Sequence, residues 1–79
     1  MTNEVRCEIL ANKLNDLTRL SNYLIERYHD TDRRFWKEQY EVVRRQTEDL
    51  RNLIFELGFT PHFDDDTWKY VVYETEHAD

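Results

Sequence analysis

The sequence predicts a mainly α fold: an antiparallel, coiled-coil-like two-helix hairpin followed by a short C-terminal β-hairpin. Three observations carry this. Cys7, Leu10, Leu14, Leu17, Ser21, Leu24 and Tyr28 form a heptad-like seam, and Trp36, Tyr40, Val43, Thr47, Leu50, Ile54 and Leu57 form a second. Paired from the middle outward (Tyr28 with Trp36, Leu24 with Tyr40, down to Cys7 with Leu57), the position numbers sum to 64 at each level, as a chain folded back near residue 32 requires. Beyond Gly58 the apolar period shortens, and Trp68 to Glu74 is rich in aromatic and β-branched residues.

The first helix is expected over about 3–28, with Thr2 or Asn3 as its N-cap and Glu4 in its first turn. Residues 29–33, His-Asp-Thr-Asp-Arg, read as the turn, in which Asp or Thr is suited to cap the next helix. One unbroken helix of some 55 residues is the competing reading. Against it, the first seam continued past Tyr28 falls on Gln39, Gln46 and Asp49. The second helix is expected over about 33–57, with Gly58 as the left-handed residue that ends it.

The β-hairpin is expected over about 59–74, with Pro61 at an edge and Asp64-Asp65-Asp66-Thr67 as its turn. Trp68, Tyr70 and Val72 are expected to face the helices, packing on Leu53, Phe55 and Leu57. Val71 and Tyr73 would then look outward, and residues 75–79 form a frayed tail. The whole chain, 1–79, is one small domain.

A chain of 79 residues buries only about 60% of its unfolded surface, so its stability is marginal unless a disulfide, a metal or a partner subunit reinforces it. Cys7 is the only cysteine, so an internal disulfide is excluded. Self-association is the remaining expectation. Ile9, Leu20, Phe35, Val42 and Leu53 make a second apolar stripe beside the seams, which would join two copies as a four-helix homodimer. No apolar run approaches the roughly 18 residues that span a bilayer, and no signal pattern opens the chain, so a cytoplasmic protein without a membrane is expected.

The net charge of −6 is concentrated at one end. Residues 1–29 hold four acids and four bases, and residues 30–57 seven and six. Residues 58–79 hold Asp64, Asp65, Asp66, Glu74, Glu76 and Asp79 against Lys69 alone. That balance disfavours nucleic-acid binding, whose affinity comes largely from neutralising phosphates. Lys37, Arg44 and Arg51, with Arg33, Arg34 and Arg45 nearby, do form a basic stripe. However, Glu41 and Glu48 stand four residues from Lys37 and Arg44, and Arg45 four from Glu41, so a solvated ladder of intrahelical pairs is the preferred reading.

Catalysis finds no support. Ser21 and Cys7 lie on the seam, and a single glycine cannot build a phosphate loop. His62 with Asp64, Asp65 and Asp66 supplies metal-ligand types but matches no EF-hand spacing, so no metal or other cofactor is expected. Ser21 and Thr47 either bond back to their own helices or set register.

What remains unassigned is the acidic, aromatic hairpin. The expected function is therefore a non-enzymatic protein–protein interaction module, a small oligomeric adaptor or inhibitor that binds a partner protein through Asp64, Asp65, Asp66, Lys69, Val71, Tyr73 and Glu74. The alternative is an acidic nucleic-acid mimic that blocks a DNA- or RNA-binding protein. Direct DNA binding through the arginine stripe ranks third. A compact acidic chain of this size suits the small proteins of phages and other mobile elements, an association of composition alone.

Overall fold

The computed structural model describes residues 2–75. Thr2 opens the first helix, α1 (Asn3–Thr31): its backbone is extended, and its Oγ1 accepts from the Val5 N–H at 3.3 Å. With no glycine or proline to stop it, α1 continues past Tyr28 to Thr31. Asp32 then closes α1 rather than capping the helix that follows. Its backbone is left-handed (φ 52°), and its N–H donates to the Tyr28 carbonyl at 2.7 Å. A residue that turns left-handed to end one helix cannot also hold the extended conformation an N-cap needs. The connection therefore shrinks to Asp32 and Arg33, and α2 (Arg34–Glu56) starts from Arg33 without a side-chain cap. The Thr31 hydroxyl steadies this reversal, donating to the Arg27 carbonyl at 2.7 Å and accepting from the Arg33 N–H at 3.4 Å.

The two helices pack as a hairpin, and every seam position from Cys7 to Ile54 is buried or partly buried. Leu57 is the exception, exposed because α2 has ended at Glu56. Near the turn, the ring that α1 sets against Trp36 is Tyr23, edge-on at 6.4 Å, with the Arg27 guanidinium 5.5 Å from the indole. Tyr28, which level-by-level matching assigns to Trp36, stacks on His29 instead. Thr47 bonds back to the Val43 carbonyl at 2.9 Å, which satisfies its hydroxyl within its own helix.

Gly58 ends the helical part with φ 90°, its N–H donating to the Phe55 carbonyl at 3.0 Å. Strands β1 (Phe59–Asp64) and β2 (Lys69–Glu74) follow, antiparallel, in a register that runs from Phe59 opposite Glu74 to Asp64 opposite Lys69. Thr75 belongs to this pairing rather than to a frayed tail. Its N–H donates to the Gly58 carbonyl at 3.0 Å, and its hydroxyl bonds that of Thr60 at 2.6 Å. The rest of the expected tail, 76–79, lies outside the described residues.

Residues directly opposite each other share a face of the hairpin. The inner face carries Phe59, Pro61, Phe63, Tyr70 and Val72, with β2 against α1 and β1 against α2. Leu14, Ile54, Phe59 and Val72 form the buried core, and Cys7, Leu10, Ala11, Leu50 and Tyr70 pack around it. Leu53, Phe55 and Leu57, expected beneath the strands, stay about half exposed. The hairpin lies across the seam at Leu14 and Ile54, where both helices contribute, and not over the last turn of α2. The molecule measures 50 × 25 × 24 Å, and no helix among the described residues is long and apolar enough to cross a membrane.

Candidate partner-binding surface

The turn of the β-hairpin is organised by Asp64. Its carbonyl accepts from the Trp68 N–H at 2.8 Å, and its carboxylate accepts from the Asp66 N–H at 3.0 Å. Closing five residues this way requires a positive φ near the end of the turn, and it falls on Trp68 (φ 57°). Trp68 thereby leaves the strand alternation that would have placed it beside Tyr70 and Val72. It is 77% exposed, touching Phe63 edge-on at 5.9 Å. The expectation that it faces the helices fails for this reason: the turn, not the strand period, sets its direction.

Asp64, Lys69, Val71 and Tyr73 occupy the outer face of the hairpin, together with Thr60 and His62. Val71 and Tyr73 are both more than two-fifths exposed. Asp65 and Asp66 are exposed at the tip. Glu74 departs from this group. Opposite Phe59 it sits on the inner side, where its carboxylate accepts from the Asn3 side-chain amide. The outer face thus brings together Val71, Tyr73 and Lys69, while Trp68 stands exposed at the tip with the two aspartates, against Phe63 of the inner face; sequence reasoning missed this largest exposed side chain.

Asn15 also went unforeseen. Its carboxamide donates to the Tyr70 carbonyl at 3.0 Å and accepts from the Tyr70 N–H at 2.7 Å. This is the bonding a neighbouring strand would offer, and it ties the outer edge of β2 to α1. An asparagine beside a seam leucine has no sequence signal that marks it for this task.

Burial pushes the Cys7 thiol up from its usual range, and the carboxylates of Glu74 and then Glu4 push it further. A protonated thiol is a poor nucleophile. Cys7 will be alkylated by iodoacetamide more slowly than a free thiol at neutral pH, with the rise in rate displaced to higher pH, and Glu74→Gln will speed it. Mass-spectrometric time courses across pH read this directly; a rate profile matching free cysteine would refute it.

The five stripe residues Ile9, Leu20, Phe35, Val42 and Leu53 are 45–58% exposed. On the basic stripe, Arg44 pairs with Glu48 at 4.0 Å, and Arg34 with Glu38 at 3.4 Å. The expected Lys37–Glu41 and Glu41–Arg45 pairs are not made among the described residues, since exposed flexible side chains gain too little from such contacts to be held in them. No three histidine, cysteine, aspartate or glutamate side chains among the described residues converge on a point that would hold a metal ion. Comparison with known protein families, with characterised proteins and with solved structures finds no match to this chain.

Proposed function

We propose that the chain is a non-enzymatic protein-interaction module, a small adaptor or inhibitor, that engages a protein partner through the tip and outer face of its β-hairpin. The observation that carries this reading is the exposure of Trp68, in a positive-φ turn at the tip, and of half-exposed Val71 and Tyr73 along the outer face. Tryptophan and tyrosine are enriched among the residues that dominate binding energy at protein interfaces, and large apolar side chains left in water at the tip and on the outer face suit a partner that covers them. Lys69, Asp65 and Asp66 at the margin provide a polar rim. The engagement of Asp64 in the turn leaves two carboxylates at the tip without a partner among the described residues, too few to trace a phosphate backbone, which weighs against mimicry of nucleic acid.

Self-association through Ile9, Leu20, Phe35, Val42 and Leu53 belongs to the same reading, as the scaffold that would present two hairpins. The test is capture from a lysate of the source cells, with the captured protein identified by mass spectrometry. A partner retained by the wild type and lost with Trp68→Ala plus Tyr73→Ala supports the hairpin surface. Equal capture by both proteins removes it. Light scattering after size exclusion tests the dimer, which a monomer of about 10 kDa would refute.

A further inference from the structure

The outer edge of β2 is occupied at one residue and, among the described residues, unpaired at the next. Backbone groups alternate in direction along a strand, so the edge that presents Tyr70 to Asn15 also presents the N–H and C=O of Val72. Neither group of Val72 has a side-chain partner among the described residues, and its cross-strand neighbour is Pro61, at a pair that exchanges no ladder bonds. Beside this edge runs an open groove of about 460 Å³ between β2 and the first half of α1. Its floor is the small pair Cys7 and Ala11, and its rim carries Glu4, Glu8 and Glu74. No basic side chain lines it among the described residues.

We propose that this groove accepts an extended, lysine-bearing peptide segment of a partner protein, which adds to β2 as a third strand through Val72. The inference rests on the reading of the chain as a protein-binding module and names a second recognition element for it. Each part of the groove selects for such a segment. Free main-chain donors and acceptors on an edge bind extended backbone whatever its sequence, and the flanking pockets give the specificity. A lysine pointing toward α1 would lay its aliphatic stem over Cys7 and Ala11 and bring its ammonium to Glu4 and Glu8. A second copy of the chain is disfavoured as occupant, because self-pairing would bring Glu4, Glu8 and Glu74 of two acidic molecules together. Asn15 fixes where the added strand must stop, since Tyr70 is already bonded.

The test uses the full chain, labelled with nitrogen-15, and a blocked seven-residue peptide alternating threonine and lysine. Two analogues are N-methylated at every second amide, one in each phase. A strand pairs through one edge only, so one analogue should lose at least ten-fold in affinity while the other binds nearly as the parent does. Binding should also slow hydrogen exchange of the Val72 amide at least ten-fold. Glu4→Lys plus Glu8→Lys, both at exposed positions, should weaken binding at least ten-fold without changing the melting temperature by more than a few degrees.

Equal binding of both analogues would overturn the proposal, leaving charge attraction alone. So would the absence of any perturbation at millimolar peptide. Shifts at Trp68, Lys69 and His62 with none at Cys7, Ala11 or Val72 would remove the edge site while leaving the outer-face reading intact. Protection of Val72 that rises with protein concentration in the absence of peptide would also overturn it, in favour of self-pairing.

Discussion

Ile54→Ala will cost about 3–4 kcal/mol, the range for truncating a fully buried aliphatic side chain where neighbours cannot collapse into the space. Ile54 is 0% exposed and touches elements on every side: it shares a cluster with Leu14 of α1, Phe59 of β1 and Val72 of β2. Its loss therefore loosens the helical hairpin and the docking of the strands together. A domain of this length has a total stability of only about 4–12 kcal/mol, so the variant should be substantially unfolded well below the wild-type melting temperature. The informative comparison is its neighbour. Leu53 is 46% exposed, and Leu53→Ala in a monomer should cost about 0.5 kcal/mol. Urea unfolding followed by circular dichroism measures both. Comparable losses at the two positions would contradict the core assignment, unless the Leu53 effect depends on protein concentration. That dependence would instead mark the apolar stripe as an interface between copies.

The second large effect is expected at Asn15. Asn15→Ala removes two hydrogen bonds to the backbone of Tyr70 and leaves a half-buried N–H and C=O to find water. The cost is about 2 kcal/mol, which for a domain of this size lowers the melting temperature by about 10 °C. The residue-level signature separates this from general destabilisation: exchange protection at the Tyr70 amide should fall further than at Ile54. Asn15→Asp keeps the acceptor but loses the donor, so it should leave Tyr70 N–H protected while still weakening the docking of β2. Uniform loss of protection across both helices and strands would show that Asn15 serves the core generally and not the strand edge.

Much of the architecture is legible in the sequence. Both helices, the reversal near residue 32, the left-handed Gly58 and the β-hairpin follow from local rules of period, capping and turn chemistry. The errors gather where one residue had two eligible tasks. Asp32 suited either a cap or a left-handed terminus, and the backbone conformation of the second excludes the first. Trp68 suited either the end of a strand or the end of a turn, and the five-residue closure at Asp64 decided it. Glu74 shared a sequence neighbourhood with Tyr73 but lies on the opposite face, because strand neighbours point in opposite directions.

The candidate site was legible only in part, for a related reason. Val71, Tyr73, Asp65 and Asp66 are exposed as their composition and alternation imply. Trp68 is exposed as well, at the tip rather than on that face, and the Val72 edge with its acidic groove was invisible, because it is built from residues some 65 positions apart in the sequence.

By itself the sequence determined the elements, their order and the seam that holds the helices together. All three rest on interactions within about four residues, or on a pattern repeated along a helix. The tertiary structure alone decided where the β-hairpin docks, that Asn15 closes one position of its edge, and that the neighbouring position has no partner among the described residues. Those outcomes depend on how rigid elements fit around Leu14 and Ile54, and a one-dimensional pattern of apolar and polar residues does not contain that fit.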